Sequence, residues 1–474
     1  FGVSSQTDAF FVAFRIPNLL RRLFAEGAFS QAFMPVLGQV KEKKGDHATF
    51  DLAFKVLCIL TVTLVLITIL GIFIAPYFVW LMTGGFNNDP VTYDLAVALT
   101  KFMFPYIIFI SLVALSAGIL NTFSEFKIPA ITPVFLNLAF ILFTVLISPK
   151  LKEPIWALAF AVIFGGLIQL TFQLTALSKI GFFSSVKKIL KEKNKINFFD
   201  TNVKKIISLI VPATFAVSVA QISLIINTHI ASKLEVGSVS WLSYADRIME
   251  FPTALLGVAL GTVLLPNLTK AWNQNDNEKV SSLIDWGLKI VFFLSIPSCC
   301  IIYSFSEPIA ASIFHYGEFS DYDLKKASEA IAAYSIGIIG LISIKILAPG
   351  FYSRQDIKTP VKVAIITLII TQCLNYLFVP VLGHAGLALA ISIAAIFNTF
   401  LLLFLLIKRK IYYPKSGWFL FKVKVFISSS IIFYFFSYFA ENIDWVSLQN
   451  QPFLRISLLL VFLVIGFVLY LIIT

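Results

Sequence analysis

Residues 7–40 read TDAFFVAFRIPNLLRRLFAEGAFSQAFMPVLGQV. The run is apolar enough to enter a bilayer, yet Asp8, Arg15, Arg21, Arg22 and Glu26 stand inside it. Ionisable side chains at membrane depth are costly and normally face a polar cavity or a partner. At 100° per residue, Asp8, Arg15 and Arg22 fall on one helical face with heptad spacing, and Arg21 lies beside Arg22. Pro17 and Gly27 break the run. Broken spans mark the bending and binding points of alternating-access transporters, although Pro and Gly also occur in ordinary membrane helices.

Outward from this stretch, apolar runs of about 20 residues recur, each long enough to cross a hydrocarbon core of about 30 Å. Thirteen spans are expected: 7–40, 51–75, 92–123, 127–148, 154–178, 203–232, 238–268, 280–304, 322–353, 358–382, 384–407, 416–440 and 453–474. Of the 474 residues, 58% are hydrophobic and 13% charged. A soluble domain carries about 25% charged residues. A large water-soluble core is therefore excluded, because nothing polar would remain to cover it. The runs are continuous rather than alternating, which predicts an all-α polytopic membrane protein and not a barrel.

A repeat organises the spans. Arg15-Ile16, Leu19-Leu20, Gly27 and Pro35-Val36-Leu37 resemble Arg247-Ile248, Leu255-Leu256, Gly261 and Pro266-Asn267-Leu268. The arginines lie 232 residues apart and the prolines 231, and Lys127-Ile128-Pro129 matches Lys358-Thr359-Pro360 at 231. Two separate matches at one spacing predict duplicated lobes in the same membrane orientation. The expected layout is an N-lobe over 1–180, a basic linker over 181–202, a C-lobe over 203–410 and a C-terminal helix pair over 411–474. The counterpart of span 203–232 would precede Phe1, so the repeat predicts one further helix there and six-helix lobes.

The net charge of +12 sits mostly in short gaps between apolar runs, with eight lysines from Lys179 to Lys205. That distribution speaks against a nucleic-acid partner, which needs a basic soluble face. Positive-inside logic places these gaps in the cytoplasm and the C-terminus with them, although Lys150 and Lys152 fall on the outer side. Cys58, Cys299, Cys300 and Cys373 read as buried small hydrophobes. His47, His229, His315 and His384 have no metal-ligand spacing, and no Walker loop, HExxH or GxSxG is present. Neither a cofactor nor ATP-driven transport is expected. The remaining span charges are Asp246, Arg247 and Glu250 in the repeat-mate of the first span, and Lys345 between Ile344 and Ile346. Lys55 and Lys101 lie nearer span ends, where snorkelling accounts for them. Arginines in both halves predict a cationic cavity, because the guanidinium fork suits phosphate oxygens. The rival reading is a set of ion pairs that lock helices together.

The stretch Thr7–Phe33 resembles the signature of the MurJ (MviN) family of lipid II flippases. So do Tyr244-Ala245-Asp246-Arg247-Ile248-Met249-Glu250-Phe251-Pro252 and Ala348-Pro349-Gly350-Phe351-Tyr352-Ser353-Arg354-Gln355-Asp356. The likeness covers essentially the whole chain. It implies fourteen helices in two six-helix lobes around a V-shaped cavity, a C-terminal pair whose groove admits an undecaprenyl tail, and kinship with multidrug and polysaccharide exporters. It implies that Arg21 and Arg247 contact the pyrophosphate of lipid II. Arg15, Asp8, Asn18, Glu26, Asp246, Glu250 and Lys345 complete the substrate-binding set. The family's first helix, with two further arginines, is not in this sequence. The implied setting is the bacterial inner membrane, with lipid II, membrane lipids and cell-wall synthesis proteins as partners. An exporter of cationic drugs would repel its cargo with so much arginine. A membrane enzyme needs a clustered base or metal site, and a scaffold has no use for buried arginines.

Overall fold

Hydrocarbon offers the backbone no water, so each crossing segment must satisfy its own amides and carbonyls. The computed structural model, which describes residues 1–21, 28–84, 86, 89–191 and 197–474, meets this with helices. Side chains of 20–21, 28–31, 211–217, 219–220, 258 and 262 lie outside the described set. No strand occurs among the described residues.

The chain divides into two compact units, Ser5–Lys233 and Leu234–Thr474 with Phe1–Ser4. The first contains α1 (Ser5–Arg21), α2 (Ala28–Thr83), α3 (Pro90–Met103), α4 (Tyr106–Thr122), α5 (Lys127–Leu142), α6 (Trp156–Lys179), α7 (Phe182–Lys191) and α8 (Thr201–Ala231). The second contains α9 (Ser238–Pro252), α10 (Ala259–Asn273), α11 (Asn277–Ser304), α12 (Ser306–Phe314), α13 (Asp321–Ser335), α14 (Ile338–Tyr352), α15 (Lys358–Leu382), α16 (His384–Lys408), α17 (Trp418–Asn442) and α18 (Pro452–Ile473).

Among the described residues, 11 helical stretches are long and apolar enough to cross a membrane. The difference from thirteen has two sources. Spans 7–40 and 51–75 share α2, which breaks only at Gly45, where φ is 76°. Span 203–232 is α8, part of whose side chains lie outside the described set. The repeat is visible at helix starts. Lys127 and Lys358 are the first residues of α5 and α15, each with proline two positions later. That is where a missing amide hydrogen costs no intrahelical bond. Segment 181–202 includes α7, and α8 packs along α2 in the first unit.

Polar side chains fasten the helices of the first unit to one another. Asp200 caps α8, its carboxylate accepting from the Asn202 and Val203 amides at 3.0 Å each. Its other oxygen accepts from Lys55 Nζ at 3.0 Å, and Lys55 also donates to Asp51 at 2.6 Å. Lys55 is thus buried in an ion triplet rather than snorkelling. Deeper in, Gln169 donates to the Thr132 carbonyl and Gln173 to the Thr132 hydroxyl, both at 3.1 Å, which ties α6 to α5.

In the second unit α16 lies close against α13 and α14. A Cβ on Gly340 would come within 2.6 Å of the Ala395 and Ile396 backbone, so only glycine permits this approach. Ser392 donates to the Ala333 carbonyl at 2.8 Å and Thr399 to the Gly340 carbonyl at 2.9 Å along the same seam. The C-terminal pair is clasped at both ends. Buried Asp285 on α11 accepts from Tyr412 at 2.8 Å, the Trp418 indole at 2.6 Å and the Lys415 amide at 3.2 Å, with Lys289 at 2.9 Å. Arg455 on α18, at 0% exposure, donates to the His315 carbonyl at 2.8 Å and lies 4.5 Å from the Tyr316 ring centre. The cysteines differ from expectation. Cys58, Cys299 and Cys300 are half-buried and Cys373 is exposed, because an apolar side chain facing lipid has no need of a protein cover.

Two outcomes follow from these clasps. Replacing Asp285 with Ala strands three donors and a lysine, and is expected to cost about 3 kcal/mol. The thermal midpoint in detergent should fall further than for Asp285→Asn, and equal midpoints would remove the clasp. Burial raises the proton affinity of Asp200, but the Val203 amide, Lys55 and the Asn202 amide outweigh it and hold the carboxyl below its ordinary 3.8. Its contribution is therefore present above that ordinary value and lost as pH falls through the lower folded one. In acid melting curves Asp200→Asn should lose part of the decline seen in the wild type; an identical acid limb would contradict this.

Candidate functional site

The first unit places its candidates on α1. Asp8 is buried in the first helical turn, where the partial positive charge of the helix end favours a carboxylate. Arg15, two turns on, is half-buried, and its Nη1 donates to the Thr228 hydroxyl of α8 at 2.6 Å. Thr228 passes its own hydrogen to the Leu224 carbonyl at 2.6 Å, so its lone pairs remain for the guanidinium. Asn18 is half-buried and bonded. Arg21 closes α1, with its side chain outside the described set; Arg22, Glu26 and Gly27 lie outside the described residues altogether.

The second unit places its candidates on α9 and α14. After Pro252, residues Thr253–Val258 form a π-helical turn before α10 begins. Such turns carry one extra residue per loop and bend a helix. Arg247 and Glu250 stand just before it. Their side chains are 66% and 41% exposed, and they approach only to 3.9 Å. This is a loose pair, worth little as a lock. Asp246 is half-buried and bonded. Lys345, exposed on α14, lays its stem over the π-helical turn: a Cβ on Gly257 would sit 3.0 Å from its Cγ. Lys101 is exposed on α3. Among the described residues, no three His, Cys, Asp or Glu side chains are placed to hold a metal.

An apolar cleft of about 230 Å³ opens between α11, α14, α16 and the start of α17, lined by Phe292, Ile339, Ser343, Leu403, Trp418 and Lys422 among others. The residue pattern did not bring out the clasps at Asp285 and Arg455, the Lys55 triplet, or a cleft at Arg354 and Arg409. Arg455 did leave a signal, as a lone charge in the otherwise apolar run 453–474.

An all-α bundle with charged residues on its interrupted helices is the architecture of a membrane transporter, and solved structures agree. Over 86% of this chain and 96% of theirs, at 14% identity, the fold resembles the inward-facing conformation of a multidrug resistance MATE family transporter of the MOP superfamily, with a TM-score of 0.67. It resembles lipid II flippase MurJ in an inward closed conformation with a TM-score of 0.78 and 27% identity, covering 100% of this chain and 92% of that one. The lipid II flippase MurJ of Burkholderia cenocepacia is 48% identical over 470 residues, 99% of this chain and 90% of that protein. The profile of the lipid II flippase MurJ family matches residues 1–452, and the chain belongs to that family. It is a multi-pass membrane transporter and not an enzyme.

The exposed Arg247–Glu250 pair separates the two readings of the intramembrane charges. Glu250→Gln is expected to change unfolding stability by less than about 0.5 kcal/mol. A loss well above that in chemical denaturation would make the pair a structural lock.

Proposed function

We propose that this chain carries lipid II, the undecaprenyl-pyrophosphate-linked disaccharide-peptide precursor of peptidoglycan, from the cytoplasmic to the periplasmic leaflet. It acts in the bacterial inner membrane by alternating access, with its C-terminus in the cytoplasm. Arg21 and Arg247 are the pyrophosphate contacts. Asp8, Arg15, Asn18, Glu26, Asp246, Glu250 and Lys345 support them. Membrane lipids are further partners, and proteins of cell-wall synthesis are the class from which protein partners come.

One observation carries this reading: Arg247 stands mid-span, 66% exposed and only loosely held by Glu250. An ionised guanidinium left this open beside a helix break is costly unless an anionic cargo completes it. Its planar fork offers two parallel donors to phosphate oxygens, and the bond strengthens where water is scarce. The acidic neighbours keep the arginine in place between cargoes without sealing it. Families on this fold differ in cargo, and a cationic one would be repelled here.

Lipid II binding, followed by native mass spectrometry, tests the assignment. Charge-assisted bonds are worth about 1.5–3 kcal/mol each. Arg21→Ala and Arg247→Ala are thus each expected to weaken binding about tenfold or more, and Lys101→Ala to leave it unchanged. Undiminished binding in both arginine variants would return them to a structural role.

A further inference from the structure

The second unit holds a polar cleft apart from the residues discussed above. Where α10, α14 and α16 end, Phe351, Arg354, Asp356, Arg409 and Ile411 line a space of about 290 Å³. Arg354 follows α14, and its guanidinium lies 3.8 Å from the centre of the Trp272 ring in the last turn of α10. Stacking fixes the plane of the fork and leaves its N–H edges for an acceptor. Among the described residues, no acceptor takes a hydrogen bond from it. Arg409 follows α16, donates to Asp356 at 2.6 Å and stands 5.7 Å from the Phe351 ring centre. Asp356 is engaged elsewhere too, accepting from the Thr359 hydroxyl at 2.7 Å and its amide at 3.1 Å.

The cleft thus holds two guanidinium groups against one carboxylate. Burial and the charge of Arg409 together draw the Arg354 proton affinity down from its ordinary value, against the pull of Asp356. Cations near helix C-termini usually serve the last carbonyls. Arg354 does not, since it donates to none of them. Lys408 and Lys410 flank Arg409 and Lys358 follows Asp356, all exposed, so the surrounding field is positive.

We propose that this cleft is an oxyanion site for a phosphate group, with the Arg354 fork and the uncommitted donors of Arg409 as its contacts. Asp356 orients Arg409 and leaves the pair of arginines one positive charge in excess. Two guanidinium groups against one carboxylate suit a phosphate with its substituent. Two sources of that chemistry reach helix ends at a bilayer boundary: the headgroup of an anionic phospholipid and a soluble phosphate. The inference does not rest on the lipid II reading, because neither Arg21, Arg247 nor Lys345 takes part.

Trp272 supplies the reporter. The purified protein is held in maltoside micelles, which contain no phosphate, and indole emission is followed in two arms. One adds inorganic phosphate; the other adds phosphatidylglycerol in phosphate-free buffer. A saturable change is expected in at least one arm. A response to inorganic phosphate assigns a soluble ligand, and one to phosphatidylglycerol alone assigns a headgroup. The response should vanish in Trp272→Phe and weaken about tenfold or more in Arg354→Gln and in Arg409→Gln. It should persist in Lys279→Gln, which removes a charge elsewhere. Thermal midpoints verify folding, and Arg354→Lys, which keeps the charge and loses the fork, stands in if Arg354→Gln does not fold. No saturable response in either arm, or full binding in the folded Arg354 variant, overturns the proposal. So does an equal loss in Lys279→Gln.

Discussion

An ionised side chain taken out of water must be completed by something, and the protein answers that demand in two ways. Lys55, Asp285 and Arg455 are completed from within. Lys55 lies between two aspartates, Asp285 gathers three donors and a lysine, and Arg455 donates to the His315 and Trp445 carbonyls and faces the Tyr316 ring. These groups hold helices together, and their cost is covered by geometry that single partners cannot supply. Arg247 and Lys345 are not completed this way. Both are exposed, and both border the π-helical turn that follows Pro252. Clasped and open charges thus stand side by side within one helical fold.

Much of this was legible in the residues. The spans follow from apolar run length, and the repeat spacing put Lys127 and Lys358 at matching helix starts, where the structure has them. Composition alone set the fold class, because only a membrane excuses so little polar surface. Other features are closed to a reading along the chain. The Asp285 clasp joins residues 127 and 133 positions apart, and nothing local announces that Tyr412 and Trp418 share one carboxylate. Lys55 looked like a snorkelling lysine because one of its two partners, Asp200, lies 145 residues away, within the basic stretch. Two expected spans share the long helix α2, which only kinks at Gly45, since glycine signals a bend without fixing its size.

The charged residues within the spans were legible in kind and less so in arrangement. Which residues carry charge at membrane depth is written in the sequence; how tightly each is held is not. Arg247 and Glu250, three residues apart, suggested an ion pair by spacing alone. At 3.9 Å with both side chains largely open, they form a weak one. The likeness to multidrug transporters at 14% identity makes the same point at the level of families. The bundle is shared, and a shared fold does not fix what is carried.

The close seam between α14 and α16 has a consequence for manufacture. A polar contact such as Thr399 with the Gly340 carbonyl, or Ser392 of α16 with the Ala333 carbonyl of neighbouring α13, forms only when the helices stand side by side at the correct depth. Each helix enters the bilayer on its hydropathy, which specifies depth loosely. The glycine notch and its hydroxyls act as a vernier, converting a coarse insertion into one register. Correct register thus depends on two hydroxyls and a missing methyl, before any cargo is present.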